Sequence, residues 1–364
     1  MKAGIVGLPN VGKSTLFNCL SNAKAQSANF PFCTIEPNIG VVNVPDPRLE
    51  KLEELVNPER VVPATVEIVD IAGLVKGASK GEGLGNQFLG NIRECNAIIH
   101  VLRCFDNDNI IHVDGSVNPI RDKETIDIEL QLKDLETVEK RLEKAKKAAK
   151  VGSKEAQAEV SLLERIREAL LQAKSARTVQ PQNEEEIALI ENFQLITTKP
   201  VLYVCNVDEG AAATGNKYVE QVRELVKDEN AEVMFLAVGT EADITELETY
   251  EERQMFLEDL GLKEPGASSL IRSAYKLLTL QTYFTAGVKE VRAWTINIGD
   301  TAPQAAGVIH SDFEKGFIRA EVIAYNDYVA FGTEAKVKEA GKLKVEGKEY
   351  IVKDGDVMHF RFNV

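Results

Sequence analysis

Residues 7–14 have the sequence GLPNVGKS and stand between a short apolar run and a stretch with helical periodicity. A strand, a glycine-rich loop and a helix in this order form a P-loop, which binds the phosphates of a nucleoside triphosphate. Gly7 and Gly12 let the loop turn tightly and direct backbone N–H groups at phosphate oxygens. Lys13 would bring a positive charge to the β- and γ-phosphates, and the Ser14 hydroxyl would be a ligand of Mg²⁺. The segment predicts a magnesium-dependent nucleoside triphosphate site.

A second nucleotide-binding motif lies at the end of the third predicted strand, where residues 70–73 have the sequence DIAG. In a P-loop protein the Asp of a D-x-x-G element, here Asp70, holds Mg²⁺ through water, and the following glycine amide, here Gly73, senses the γ-phosphate. Between the two motifs, Thr34 offers a loop hydroxyl as a second magnesium ligand; the alternative is an ordinary loop threonine. This combination indicates a GTPase-like switch protein rather than a small-molecule kinase.

The base-reading element is expected after the next-to-last strand of such a sheet, where residues 206–209 have the sequence NVDE. GTPases have N-K-x-D there, and its Asp accepts hydrogen bonds from two N–H groups of guanine. Here Val207 replaces the Lys and Glu209 replaces the Asp. Adenine offers no such pair of donors, so these replacements weaken the case for GTP and permit ATP.

The group that orients the attacking water is also unusual. Ras-like enzymes have a Gln directly after the D-x-x-G element, whereas this chain has Leu74. Leucine cannot hydrogen-bond to water, so intrinsic hydrolysis should be slow or another group must place the water. His112, in a loop-like stretch after a predicted strand, is one candidate; the alternative is a histidine with no catalytic role.

Bulk composition limits the classes of partner. The chain has 364 residues and a formal net charge of -14, which predicts more than one domain and argues against DNA or acidic membranes as general partners. The nucleotide-binding strand begins almost at once, and we find neither a signal peptide nor an apolar run long enough to span a membrane. We therefore expect a cytoplasmic protein with free thiols.

The alternation of segments predicts an α/β fold with a largely parallel sheet covered by helices. Strands are predicted at 39–44, 64–71, 97–104, 201–207 and 233–238, and helices at 47–56, 84–95 and 217–228. From about residue 125 a heptad pattern begins, and after a break at 151–153 a second amphipathic helix follows. Two such helices around a short turn predict an antiparallel coiled-coil hairpin inserted into the α/β domain, with a plain helical pair as the alternative. The heptad positions are Ile128, Leu135, Leu142 and Ala149.

The C-terminal part has a different pattern of predicted secondary structure, in which strands predominate. A helix from Gly266 is followed by predicted strands at 291–298, 317–324, 348–352 and 357–364. We expect a separate small α+β domain there.

With these segments in place, the whole chain resembles the Obg-like ATPases of the YchF family. The resemblance rests on residues 7–15, 30–35, 70–75, the Asn-x-x-Glu of 206–209 and LQTYFT at 280–285, in that order. It implies a P-loop G domain (1–124 and 195–278), an inserted coiled-coil hairpin (125–194) and a C-terminal β-grasp (TGS) domain (279–362). It also implies hydrolysis of ATP in preference to GTP, a need for Mg²⁺, and association with the ribosome, through the large subunit or the 70S particle, in translation or stress control.

Carried over by position, the resemblance also assigns site residues. It places the phosphates on Asn10, Val11, Gly12, Lys13, Ser14 and Thr15. It places magnesium on Ser14 and Thr34. It places adenine on Asn206 and the backbone of Val207.

Charge indicates a surface for the ribosome. Residues 140–154, at the tip of the predicted hairpin, contain one acid and seven basic residues: Lys140, Arg141, Lys144, Lys146, Lys147, Lys150 and Lys154. A basic projection on an acidic protein suits phosphate contacts with ribosomal RNA, although charged helical surfaces are often only solvated. The resemblance adds the TGS domain as a second contact.

These observations predict a magnesium-dependent ATPase, with Lys13 and His112 as catalytic residues, whose nucleotide state sets its affinity for the ribosome. The alternatives are a GTPase of the same build, and a binding protein in which nucleotide mainly orders the loops and hydrolysis is incidental. A comparison of ATP and GTP affinities distinguishes the ATPase from the GTPase.

Overall fold

The structure is a computed structural model that describes residues 1–22, 39–71, 84–229 and 231–363. In chain order, the first half of these forms β1 (Lys2–Val6), α1 (Lys13–Asn22), β2 (Ile39–Asn43), α2 (Pro47–Val56), β3 (Val61–Val62), β4 (Thr65–Asp70), α3 (Leu84–Glu94), β5 (Ala97–Arg103), α4 (Pro119–Ala149) and α5 (Lys154–Leu171). The next elements are α6 (Glu184–Phe193), β6 (Val201–Asn206), α7 (Lys217–Val226), β7 (Glu232–Leu236), α8 (Val238–Glu246), α9 (Tyr250–Asp259) and α10 (Gly266–Leu277). The chain ends with β8 (Leu280–Ala286), β9 (Val291–Asn297), α11 (Ala302–Ile309), α12 (Ser311–Lys315), β10 (Phe317–Ile323), α13 (Tyr325–Phe331), α14 (Glu334–Glu339), β11 (Lys344–Glu346) and β12 (Val357–Phe362).

The chain divides into two compact units. The first contains residues 1–40 and 67–270, and the second contains residues 41–66 and 271–364. Residues 41–66 and 271–278 were assigned to the nucleotide domain by sequence and cluster with the C-terminal residues in space. Helix α2 explains the first difference, since it packs on strands β8 and β9.

A parallel sheet forms the centre of the first unit. The strand order is β2-β4-β1-β5-β6-β7, and β1, β4, β5, β6 and β7 pair in parallel. Strand β5 is buried at every position, as is β6, which is the pattern of strands covered on both faces by helices. The carboxyl ends of these strands meet at one edge of the sheet, where α/β proteins bind their ligands.

Helices α4 and α5 form the predicted hairpin between β5 and β6. Their apolar residues share one core with α6, and this core includes Val138, Leu142, Leu163 and Ile166. The predicted heptad position Ile128 is wrong as a core position, because its side chain is 48% exposed. The hairpin contacts begin later along α4 than the sequence periodicity indicated.

One buried carboxylate fixes the root of the hairpin to the sheet. Asp134 of α4 has no exposed surface and accepts hydrogen bonds from the Ile196 N–H at 2.9 Å, the Thr197 N–H at 2.6 Å and the Thr197 hydroxyl at 2.7 Å. Burial raises the pKa of Asp134, and the hydrogen bonds from Thr197 and Ile196 oppose that shift. The bonds hold α4 against the segment that leads into β6.

A mixed sheet forms the second unit, with the order β11-β10-β12-β8-β9-β3. Helix α11 covers it, and Tyr283, Ala305, Phe317 and Phe360 belong to the shared core. The predicted strand at 348–352 is wrong: β11 occupies Lys344–Glu346, and Ile351 forms only an isolated bridge to Thr301. No helix among the described residues is both long enough and apolar enough to cross a membrane.

The Asp134 anchor yields a stability prediction. Asp134→Ala leaves two buried backbone N–H groups without an acceptor, so we expect the free energy of unfolding to fall by about 2–4 kcal/mol. Glu124→Ala, at an exposed carboxylate of the same helix, is the matched control and should change it by less than about 0.5 kcal/mol. Urea denaturation of both variants measures the difference, and equal unfolding midpoints for the two would contradict the anchoring role.

Candidate nucleotide site

The P-loop fills the edge of the sheet directly after β1. Gly12 has φ of +99°, and a Cβ on it would lie 2.6 Å from the Asn206 Nδ2 atom. A Cβ on Gly7 would lie 2.5 Å from the Val101 carbonyl oxygen. Both positions require glycine because the loop passes against neighbouring strands. The close fit shapes the loop that leads into α1.

Lys13 is the first residue of α1, where backbone N–H groups face outward and favour an anion. The side chain is 7% exposed, and its Nζ atom donates to the Leu8 carbonyl at 2.6 Å. Burial lowers the pKa of Lys13 to about 8, while the charge of Asp70 opposes that shift. The lysine is therefore held across the loop, close to the N-terminus of the helix.

Ser14 and Asp70 form the pair that fits a magnesium ion. The Ser14 hydroxyl donates to Asp70 Oδ2 at 3.0 Å. The other carboxylate oxygen of Asp70, Oδ1, is buried without a hydrogen-bond partner among the residues that the structure describes. An unpaired buried carboxylate oxygen beside a hydroxyl is a donor set that suits Mg²⁺, which takes oxygen ligands and retains several waters.

Asn206 ties three parts of the site together at the end of β6. Its Nδ2 donates to the Val11 carbonyl at 2.9 Å, and its Oδ1 accepts from the Val238 N–H at 3.0 Å. The side chain is 5% exposed. The Oδ1 atom accepts one backbone hydrogen bond and keeps a second lone pair, and one Nδ2–H remains for a ligand.

A cleft of about 440 Å³ opens beside this asparagine. The P-loop contributes Asn10, Gly12 and Thr15 to its lining. The segment after β5 contributes Phe105, Asn107 and Ile110, the segment after β6 contributes Val207, Asp208 and Glu209, and the start of α8 contributes Val238, Gly239, Thr240 and Asp243. The volume is within the range of small-ligand sites.

His112 lies in a buried hydrogen-bond network. The Asp114 N–H donates to His112 Nδ1 at 3.1 Å, so the ring proton is assigned to Nε2, which donates to Asp122 Oδ2 at 2.8 Å. Both ring nitrogens are therefore occupied. Orientation of a water by His112 requires the ring to leave this arrangement, and its catalytic role stays a prediction.

The structure places the other predicted residues as follows. One cleft is lined by Asn10, Gly12, Thr15, Asn206 and Val207, and the Val11 carbonyl accepts from Asn206. Lys13 and Ser14 are at the start of α1, and Asp70, at the end of β4, accepts from Ser14. Thr34, Gly73 and Leu74 lie outside the described residues.

Sequence reasoning missed the segment after β5 as part of the site. Phe105, Asn107 and Ile110 carry no motif, and only their position after a central parallel strand could have indicated them.

Fold and site together define a P-loop nucleoside triphosphatase of the GTPase class. A family model described as a 50S ribosome-binding GTPase matches residues 2–148, and the C-terminal model of the YchF GTPases, described as a protein of unknown function, matches residues 280–363. The chain belongs to the YchF family, as its full-length relatives show.

The curated relatives cover the whole chain. The ribosome-binding ATPase YchF of Haemophilus ducreyi is 58% identical over 363 residues, with 100% of this chain and 99% of the relative aligned. The protein of the same name from Bacillus subtilis is 57% identical over 366 residues, with 100% of both chains aligned. The solved YchF GTPase of Schizosaccharomyces pombe is 40% identical, has a TM-score of 0.90, and aligns 99% of this chain with 97% of its own. The predicted family and fold class are confirmed.

The Asn206 tie predicts a specific substitution effect. Asn206→Asp keeps an acceptor for the Val238 N–H but places a carboxylate oxygen against the Val11 carbonyl, so the P-loop loses its tether. We expect nucleotide affinity to fall by at least about tenfold, which corresponds to about 1.4 kcal/mol, together with a lower Tm.

Asn192→Asp, at an exposed position of α6, makes the same charge change away from the cleft and is the control. Calorimetric titration with ADP measures both variants. Wild-type affinity in Asn206→Asp would contradict the tethering role.

Proposed function

We propose that this protein is a magnesium-dependent ATPase that associates with the ribosome in a nucleotide-dependent manner. The observation that carries the catalytic part is the Ser14–Asp70 pair beside Lys13 at the start of α1. The names of the curated relatives, which are called ribosome-binding ATPases, support the nucleotide and the partner. A ribosomal partner would place its action in the cytoplasm.

The residues at the start of α1 divide the work of binding and hydrolysis. Lys13 and the N–H groups of 10–15 bind the β- and γ-phosphates, and their positive charge stabilises the charge that builds up on the phosphoryl group as it is transferred to water. Ser14 and Asp70 would hold magnesium, and the sequence resemblance adds the hydroxyl of Thr34. When bound, magnesium neutralises charge on the phosphate oxygens.

We expect slow turnover from the two residues considered as groups that could orient the attacking water. Leu74 follows Gly73 in the sequence and cannot hydrogen-bond to water, and both ring nitrogens of His112 are engaged. These facts also favour the second candidate function, a nucleotide-gated binding protein with incidental hydrolysis. Ribosome association measured with ATP, with ADP and without nucleotide distinguishes the ATPase from the nucleotide-gated binding protein. In the second case, binding of the nucleotide controls association and hydrolysis is not required.

The base site favours adenine over guanine. The Val207 N–H already donates to the Leu236 carbonyl at 3.1 Å, so we assign the Val207 carbonyl to the exocyclic amine of adenine. Glu209 lines the same cleft, but its carboxylate is one methylene farther from the backbone than the Asp of GTPases. The name of the solved relative, a GTPase, keeps the alternative nucleotide open.

We extend the proposal to the domains. We propose a G domain of 1–124 and 195–278, a hairpin insertion of 125–194 and a TGS domain of 279–362. The C-terminal family model, which begins at residue 280, supports the last boundary. The position of α4 and α5 between β5 and β6 supports the insertion.

Nucleotide choice tests the function directly. We expect wild-type protein to bind and hydrolyse ATP in preference to GTP, and Val207→Lys combined with Glu209→Asp to move the preference toward GTP by restoring the guanine-reading pattern. Parallel calorimetric titrations and phosphate-release assays measure this. Binding of GTP at least about tenfold more tightly than ATP, a gap of about 1.4 kcal/mol, would remove the ATP assignment.

The hairpin tip supports the ribosome part of the proposal. Lys146 pairs with Glu164 across the two helices at 2.8 Å, and Lys147 pairs with Glu143 at 2.7 Å. Lys144, Lys150 and Lys154 are exposed, and none of the ion pairs within the described ranges includes them. These three lysines, which we call the tip lysines, are the cations available for phosphates of ribosomal RNA.

Counterion release makes their contribution measurable. Replacing the tip lysines with Gln should weaken ribosome co-sedimentation and reduce the slope of log K against log salt by as much as about 2–3, since each phosphate contact contributes about 0.7–0.9. ATP hydrolysis without ribosomes should be unchanged.

The control is a second triple Gln variant of exposed lysines elsewhere in the first unit: Lys174, Lys217 and Lys263. It changes the net charge equally, so general electrostatic attraction would affect both variants alike. Identical salt slopes for the two variants would show that the tip lysines are only solvated.

A further inference from the structure

Arg103, the last residue of β5, is a buried cation in an unusual environment. Its side chain is 2% exposed and is among the largest fully buried side chains. Within the part of the chain that the structure describes, it forms no ion pair with a carboxylate at 4.0 Å or less. Burial of an unpaired charge is costly unless hydrogen bonds replace the lost water, so the partners of this guanidinium need an explanation.

Backbone carbonyls of one segment provide those partners. Arg103 Nε donates to the Phe105 carbonyl at 3.2 Å, Nη1 to the Ile110 carbonyl at 2.8 Å and Nη2 to the Asn107 carbonyl at 2.9 Å. The guanidinium carbon also lies 4.6 Å from the centre of the Phe105 ring. A single planar cation thus closes residues 105–110 around itself, a geometry that the fork of arginine allows and the single nitrogen of lysine does not.

The same segment is a wall of the nucleotide cleft. Phe105, Asn107 and Ile110 line the cleft together with residues that follow β6. The next carbonyl, of Ile111, accepts a hydrogen bond from Asn10 Nδ2 of the P-loop at 3.2 Å. Arg103 itself does not line the cleft, so it can act only through this wall.

We propose that Arg103 is a positioning residue for nucleotide binding, which holds residues 105–111 as a preformed wall against the nucleoside part of the ligand. The inference rests on the proposed nucleotide-binding function. A preformed wall avoids the cost of ordering a loop at the moment of binding. Lys13 and Ser14 are not among the residues that line the cleft with this wall, so the wall should stabilise the bound nucleotide before and during phosphoryl transfer alike.

Uniform stabilisation of this kind appears in KM and not in kcat. In Arg103→Lys one nitrogen replaces the three that now donate to separate carbonyls, so the planar three-point arrangement is lost and at least one carbonyl loses its charged donor. We expect the dissociation constants of ADP and ATP both to rise by at least about tenfold, while kcat at saturating ATP changes by less than about threefold.

Arg177→Lys is the matched control. Arg177 is also mostly buried and donates to the Thr197 and Lys199 carbonyls and to Glu229, but it does not line or support the cleft. We expect this variant to lower Tm and leave ADP affinity unchanged. If Arg103 had only a structural role, Arg103→Lys would behave in the same way. A weaker ADP affinity in Arg103→Lys than in Arg177→Lys, at a similar decrease in Tm, therefore shows that Arg103 positions the wall for nucleotide binding.

Each outcome has a separate meaning. If wild-type protein binds neither ADP nor ATP, the proposed function fails and this inference fails with it. If wild type binds and Arg103→Lys binds ADP equally well, the inference alone is overturned.

If Arg103→Lys does not fold, hydrogen exchange on the wild type without nucleotide decides. The Ile110 amide, which donates to Asn107 at 3.1 Å, should be protected before any ligand is added. Exchange at the rate of an unstructured peptide would overturn the preformed wall.

Discussion

The nucleotide edge of the sheet depends on one buried amide. Strands β1, β5 and β6 are neighbours in the sheet, and Asn206 is the last residue of β6. Asn206 satisfies two backbone groups at once, the Val11 carbonyl of the P-loop and the Val238 N–H of α8. A buried backbone group without a partner costs about 1–3 kcal/mol. The amide therefore fixes the P-loop relative to α8, and Gly12 is required because the amide occupies the space of a side chain.

The same solution recurs elsewhere in the first unit. Asp134 accepts from the backbone of Ile196 and Thr197, Glu241 accepts from the Gly266 and Ala267 N–H groups, and Arg103 donates to three carbonyls. In each case a buried polar side chain pairs with backbone instead of with an opposite charge. Backbone partners cannot be lost by substitution of another side chain, and they fix a segment in one conformation.

These pairings explain which features the sequence could predict. The P-loop, helix α2 at Pro47–Val56 and the order of the central strands follow from local patterns. By contrast, Asp134 and Thr197 are 63 residues apart, as the hydrogen bond between them records, and no periodicity connects them. The exposed Ile128 has a related cause: its heptad position is apolar, but the hairpin partner α5 packs only on the later part of α4. Local patterns therefore identified the elements, and tertiary contacts decided which of their faces are buried.

Helix α4 connects two parts of the proposed mechanism that are far apart. Its first turn carries Asp122, which bonds His112, and its last turn lies at the basic tip. A helix of 31 residues is about 46 Å long at 1.5 Å per residue. Asp134 and the pairing of Lys123 with Glu229 hold the root of this helix on the sheet, so a partner that pulls on the tip acts on a long arm with a fixed base. The two ends of such a helix are coupled only if a structural element between them has two conformations, and if binding at each end changes the equilibrium between those conformations. The His112–Asp122 bond lies at this base, and it would have to break before the Nε2 atom of His112 could bind a water.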